Sequence, residues 1–270
     1  MKLQIKRLIS QISLLFAASL GPLGLKTGFC YPFFYCHACP AATSACPLRA
    51  IELSVFRGNI AWKLLFYPLL ILGSIGILSG RAVCGWACPI GLLQRGTSPV
   101  ARKLKKYSFI QKLGGHKIEP YLRYMKYLAL LGLVIITPFL IGFMFTDICP
   151  VGFLTGTIPI SILNLGKYVP SSYFYPALVI FILFIVLIFT VERGWCRYFC
   201  PVGAILAPFN KISVIHVAVD RGKCTHKHMT CSIACPMGID VPNMNRDPEC
   251  ILCGKCIKAC PEHAISYRRK

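Results

Sequence analysis

Charge is scarce in this 270-residue chain and acid is scarcer: 14% of residues are charged, and only 9 are Asp or Glu. A soluble surface needs more than that, which excludes a purely soluble enzyme and intrinsic disorder. Also missing are an acid pair suited to general acid–base work, a nucleophile triad and a glycine-rich phosphate loop. The basic run 102–106 has no nucleic-acid-binding module around it and sits between apolar stretches, so topology and anionic lipid headgroups account for it and no nucleic-acid partner is expected. Present instead are 56% hydrophobic residues, 30 Lys+Arg and 16 cysteines. Secreted disulfide scaffolds are short and polar and have no lipid-soluble runs, so these cysteines need another use.

Four runs can cross a hydrocarbon layer that takes about 20 helical residues to span: residues 8–25, 62–80, 124–145 and 174–191, none containing cysteine. The first follows Lys2, Lys6 and Arg7 and carries the small residues Ala17, Ala18 and Ser19 of a signal peptide, yet its apolar character continues to Leu25, which favours a span. Positive charge divides unevenly: 3 cations in the N-terminus, 10 between Arg81 and Lys126, and 12 from Arg193 onward, against 5 in the other two connections. The expectation is a multi-pass protein of the cytoplasmic membrane with both termini in the cytoplasm.

The chain repeats itself once. Arg81-Ala-Val-Cys84-Gly-Trp-Ala-Cys88-Pro89-Ile-Gly91 returns as Arg193-Gly-Trp-Cys196-Arg-Tyr-Phe-Cys200-Pro201-Val-Gly203, 112 residues later. Each copy closes a pair of spans, so the halves form an approximate two-fold with both motifs on the cytoplasmic side. Neither cysteine pair completes a cluster alone; together Cys84, Cys88, Cys196 and Cys200 supply the four thiolates of one. A helix starting at Pro89 or Pro201 aims its amides at an anionic cluster, and Arg81, Arg193 and Arg197 nearby would raise its potential. The plainer reading is four buried small residues, against which the repeated spacing speaks.

The outward connections hold Cys30, Cys36, Cys39 and Cys46 before the second span and Cys149 before the last. An outer cluster on Cys36, Cys39, Cys46 and Cys149 draws on both halves, with Cys30 as the spare or in place of Cys149. Two disulfides and one thiol are the competing reading. Residues 29–34 and 152–165 are too apolar for solvated loops, and Pro159 interrupts the second, so both are expected as re-entrant segments packed within protein. His37 is either a ligand, a quinone-site donor or a loop histidine. Asp147 and Glu192 stand at span ends, each with an arginine partner expected, such as Arg193.

Seven cysteines then fall within 37 residues of a polar tail. Cys250-x2-Cys253-x2-Cys256-x3-Cys260-Pro is the bacterial ferredoxin ligand run, whose fourth cysteine serves the other cluster. Crossed ligation gives one set of Cys235, Cys250, Cys253 and Cys256 and another of Cys224, Cys231 and Cys260. The second set is one thiolate short: His228 or His226 completes it, or it holds a [3Fe-4S] cluster, or it is lost. A zinc site on these residues is disfavoured by the doubled Cys-Pro signature.

These residues resemble the membrane iron–sulfur proteins of the NapH/NosR/CcoG kind, the polyferredoxins, through both C-x3-C-P motifs, through Gly194-Trp195-Cys196 to Cys200-Pro201-Val202-Gly203-Ala204, and through the tail from Lys223 to Ser266. The resemblance implies cytoplasmic termini, paired ferredoxin clusters, and electron transfer between the quinone pool or cytoplasmic donors and a partner redox subunit. Carried over, it marks Cys84, Cys88, Cys196, Cys200 and the seven tail cysteines as ligands. The set at Cys36, Cys39 and Cys46 is foreign to the NapH type and looks like that of polyferredoxin relatives with a YCxxCP-type loop.

The fold expected is mainly α: a four-helix transmembrane bundle of two repeated halves with re-entrant loops (1–215), and a small α+β ferredoxin-like domain (216–270). The function expected is transmembrane electron relay through about four [4Fe-4S] clusters within a larger redox complex. Its partners would be other redox subunits, membrane lipids, and ferredoxin or quinone. Two rivals are a quinol/quinone oxidoreductase component and a redox maturation factor for another metalloenzyme.

Overall fold

The computed structural model describes residues 2–27, 29–36, 39–56, 60–104, 119–163, 172–225 and 229–269. It is mainly helical, and among the described residues three helices are long and apolar enough to cross a membrane: Trp62–Ser79, Glu119–Leu140 and Phe145–Leu163, with the shorter apolar helix Phe174–Thr190 as well. Their outward faces carry side chains that water would not tolerate in such number, among them Phe66, Leu70, Leu131, Leu140, Tyr175 and Leu183. Inward faces are narrow: Pro68, Leu72 and Gly76 on one helix, Ala177, Phe184 and Ile188 on another. A chain that buries so little of its apolar helices is built for lipid.

The helix set departs from expectation in two places. The run 8–25 is not one span: helix Lys2–Ala18 gives way to a 3-10 turn at Gly21–Leu23. A Cβ at residue 21 would lie 2.7 Å from the Ala41 carbonyl oxygen, so Gly21 lets the chain turn against the loop, and Pro22 opens the turn. Of the segment 152–165, the described residues are helical across Pro159, as part of Phe145–Leu163. The proline is absorbed by a π-helical stretch, Phe153–Thr157, that ends two residues before it. The same device recurs at Leu130–Ile136, two residues before Pro138. Widening the turn re-registers the ladder where the proline N–H is missing, which lipid would not forgive if left open. In residues 29–36 there is no helix; Phe33, Phe34 and Tyr35 are buried within protein, whereas Phe29 is exposed.

The tail is tied down at its membrane end. Its two strands, Ile215–Val219 and Ile265–Arg269, pair antiparallel with Ile215 opposite Arg269 and Val219 opposite Ile265. Just before the first strand, the Val214 N–H donates to the Ile77 carbonyl at the end of Trp62–Ser79. Buried Asn210 does the most: its Nδ2 donates to the carbonyls of Asp247, Pro248 and Cys250 at 2.8–3.0 Å, and its Oδ1 accepts from the Arg81 N–H at 2.8 Å. Asn210→Ala should therefore destabilise the docked tail by about 3 kcal/mol. Limited proteolysis will report it as faster cleavage of 216–269, with the membrane-embedded part spared.

Candidate metal centres

The repeat builds one site from two mirror-like halves. Short helices Ala82–Trp86 and Gly194–Tyr198 carry Cys84 and Cys196, while Pro89 and Pro201 open the helices that follow Cys88 and Cys200. All four cysteines line one small cavity with Phe33, Phe34 and Trp195. The arginines that open the motifs cross over. Arg81 Nη2 donates to the Cys196 carbonyl at 3.0 Å, and Arg193 Nη1 donates to the Cys84 carbonyl at 3.0 Å. Matched glycines make room, since a Cβ at Gly91 would lie 2.5 Å from the Cys84 oxygen and one at Gly203 would lie 2.9 Å from Arg81 Nη2.

Nitrogen donors reach the sulfurs themselves. The Gly203 N–H donates to Cys200 Sγ at 3.4 Å, as a helix start should, and the Gly91 and Phe34 amides donate to Cys88. Gln94 Nε2 donates to Cys196 Sγ at 3.1 Å from a fully buried position, a contact that no motif spacing announces. Arg197 behaves otherwise than expected: buried, it pairs with Glu119 and lies near Cys235 of the tail. Glu192 pairs with Arg102 at 2.8 Å and Lys255 at 3.2 Å, leaving Arg193 to the backbone. Asp147 does find an arginine, Arg49 at 2.9 Å.

On the far side, Cys36, Cys46 and Cys149 line a second cavity with Phe34, Thr146 and Gly152. A Cβ at Gly152 would stand 3.4 Å from Cys36 Sγ, so the helix start passes close to that sulfur. Cys39 does not line this cavity; its sulfur meets the Tyr35 hydroxyl at 3.6 Å. Cys30 is buried, pairs through its backbone with Ala45 and acts electrostatically on Cys46. The expected set took Cys39 with Cys30 in reserve; neither lines the cavity, and the bridge between residues 30 and 45 places Cys30 near Cys46. His37 lies outside the described residues.

In the tail, Cys235, Cys250, Cys253 and Cys256 line a third cavity, walled by Met237, Ile239, Val241, Met244 and Ile251. Cys235 thus joins the first three cysteines of the run around one cavity. Cys231, Cys256 and Cys260 share a second buried cluster, with Cys224 packed against it. His226 and His228 lie outside the described residues. Among the described residues no three Cys, His, Asp or Glu converge tightly enough for a single metal ion; the cysteines surround cavities instead.

The sites are joined end to end. Phe34 lines both membrane cavities. On the other side of the repeat, a Cβ at Gly85 would sit 2.3 Å from the Ile251 carbonyl oxygen, so the first motif lies flat on the tail's ligand loop. Trp86 Nε1 and the Tyr267 hydroxyl donate to the Leu252 carbonyl at 2.9 and 2.8 Å, and Arg7 Nη1 and Gln4 Nε2 donate to that of Cys253 at 3.2 and 3.0 Å. Buried Glu249, next to Cys250, bonds Arg81 at 2.7 Å and also Lys126. Burial alone would raise its carboxyl, but those two cations outweigh it and hold the group below its ordinary value.

The thiols suit an iron–sulfur group. Burial pushes Cys46, Cys88 and Cys250 up to about 12, and raises Cys84 and Cys235 as well. Free thiolates would be costly here; a cationic iron core supplies the charge that the protein withholds, and the amides aimed at sulfur stabilise the result.

The comparisons agree with this geometry. A family described as "4Fe-4S binding domain" matches residues 60–107 and again 173–219, one match per repeat, and a second of the same description matches 246–266. An uncharacterized protein of Methanocaldococcus jannaschii, MJ0750, is 30% identical over 98% of this chain and 96% of its own. The ferredoxin-type protein NapH of Escherichia coli is 27% identical over 82% of this chain and 73% of its own, and the regulatory protein NosR of Stutzerimonas stutzeri is 28% identical over 67% of this chain but 23% of its own. No solved structure matches the chain.

One buried acid beside the outer cavity is testable now. Glu52 is wholly buried, and burial raises its carboxyl to about 7, against which hydrogen bonds from the Thr146 hydroxyl and amide pull it down. Its unfolded value is 4.5, so the folded chain binds the proton more tightly. The stability it contributes is complete below that value and lost as pH rises through about 7. Thermal melting in detergent should show the wild type losing up to about 3 kcal/mol between about pH 4 and pH 8, and Glu52→Gln losing much less.

Proposed function

Because the chain belongs to the NapH/NosR-like membrane iron–sulfur proteins of polyferredoxin type, we propose that it relays electrons across the membrane through four cysteine sites in series. It is a membrane protein of iron–sulfur electron transfer; the order, ligands and sidedness are our reading. The inner site takes Cys84, Cys88, Cys196 and Cys200. The outer takes Cys36, Cys46 and Cys149 with Cys30 or Cys39. The tail 216–270 takes Cys235, Cys250, Cys253 and Cys256 in one site, and Cys224, Cys231 and Cys260 with a histidine, or as a three-iron cluster, in the other. Both termini then face the cytoplasm.

Clusters bound there supply the one-electron carriers; the chain supplies their spacing and surroundings. The observation that carries the reading is continuity: Phe34 belongs to both membrane cavities, and Gly85 abuts the Ile251 carbonyl between tail cysteines. Phe34 excludes water from the gap. Gln94 and the Gly203 amide hold hydrogen bonds to ligand sulfurs, which favours the more negative, reduced state. Arg7, Trp86 and Tyr267 fix the tail loop against the first motif.

A second reading, quinone oxidoreduction, is favoured by one cavity. A space of about 380 Å³ lies where the tail meets the bundle, lined by Arg102, Glu192, Arg197, Tyr198, Ser232 and Cys235 among others. It brings guanidinium, hydroxyl and carboxylate groups to the wall of a tail cysteine site at the end of a membrane helix. Reduction of the purified protein by a quinol analogue, abolished by blocking this cavity through Ser232→Trp, would establish it; reduction by soluble donors alone would remove it.

For the relay, Cys196→Ser should lose one membrane centre while both tail centres keep their iron, acid-labile sulfide and EPR signals. Unchanged spectra would sink the shared site.

A further inference from the structure

The tail's strand pair has a fixed end and a far end. Its fixed end is Val214, bonded to the membrane helix Trp62–Ser79. Five residues on, about 16 Å along the ladder, the Asp220 N–H bonds Ala264 and the chain turns through Arg221, Gly222 and Lys223 into Cys224. This tip encloses the last cysteine set. Arg221 and Lys223 are exposed beside Cys224, and Lys258, exposed, stands between Cys256 and Cys260. Helices Thr230–Ala234 and Lys255–Ala259 are locked side by side, Thr230 Oγ1 donating to the Ala259 carbonyl at 3.1 Å. Met229, more than half exposed, adds an apolar contact beside Cys231.

The two acids at this tip are engaged in local hydrogen bonds at the surface. Asp220 accepts from the Gly222 N–H at 3.0 Å, capping its own turn. Glu262 accepts from the Thr225 N–H at 2.9 Å and from its hydroxyl. Among the described residues Arg221, Lys223 and Lys258 outnumber those two acids, at the end of the strand pair opposite Val214.

We propose that this tip, formed by Arg221, Lys223 and Lys258 around the Cys224/Cys231/Cys260 set, is the docking face for a small acidic electron-carrier protein. Cationic side chains ringing an apolar contact give fast, salt-sensitive association of the kind a turnover partner needs. Exposed cations beside a cysteine set, with Met229 exposed next to Cys231, favour an acidic carrier protein as the occupant. The inference rests on the relay reading, but binding is measured without electron flow, so the two can fail separately.

The test uses the full chain, with clusters reconstituted, in nanodiscs of uncharged lipid. The probe is a purified acidic two-cluster ferredoxin, followed by calorimetry. The wild type should lose affinity about tenfold or more when ionic strength rises from about 0.05 M to about 0.5 M. The triple variant Arg221→Gln, Lys223→Gln, Lys258→Gln should bind about tenfold or more weakly at low salt, while Lys211→Gln, an exposed cation near the membrane end, should bind like wild type. Should the triple variant fail to fold, the salt dependence of the wild type decides. Salt-independent binding overturns the proposal. So does equal loss in the triple and Lys211 variants, or loss of attachment to phosphatidylglycerol vesicles with ferredoxin binding intact. Tight binding with no reduction of the tail centres would instead overturn the relay and leave the docking face standing.

Discussion

The exchange of two arginines across the repeat is the constraint on which the rest hangs. Arg81 and Arg193 are almost wholly buried, and each holds a cysteine carbonyl in the opposite half. A buried guanidinium costs several kcal/mol unless its donors are met, and here the bond each makes to a cysteine carbonyl forms only when both halves are in place. The pseudo-two-fold is thus specific as well as apolar. It brings four sulfurs to one cavity and fixes the plane on which the tail rests, because Nη1 of Arg81 reaches both Glu249 and Pro248.

Around that pair the chain handles charge differently on its two sides. At the tail junction Glu249 is kept ionised by Arg81 and Lys126, so the contact between bundle and tail is electrostatic and nearly dry. On the outer side Glu52 has, among the described residues, Thr146 as its side-chain hydrogen-bond partner, with Arg49 acting from a distance, and its proton is retained to higher pH. The acids are few, and two of the nine are buried against sites of sulfur.

Much of this was legible in the sequence. The 112-residue repeat and the ferredoxin run located the sets at Cys84/Cys88/Cys196/Cys200 and Cys235/Cys250/Cys253/Cys256, because local helix starts and crossed ligation depend on spacing. Helix Trp62–Ser79 was read almost to the residue. What escaped depends on contacts between distant segments. Cys30 approaches Cys46 through a backbone bridge that has no motif, Gln94 reaches Cys196 from a different helix, and Glu192 finds Arg102 and Lys255 before Arg193. Proline 159 misled because a π-helical turn, invisible in composition, absorbs it.

The arginine exchange has an implication for how such a chain could have arisen. Each half asks only for a facing copy of the same motif, with its arginine, its cysteine carbonyl and its small residue at position 91 or 203. Two copies of a half-length protein, packed about a true two-fold, would meet every one of those demands. Fusion into one chain then frees the halves to diverge, and the divergence is visible: Arg81 acquired Glu249 of the tail, whereas Arg193 kept to the Gly91 carbonyl. Symmetry built the central site, and its loss gave the site a direction.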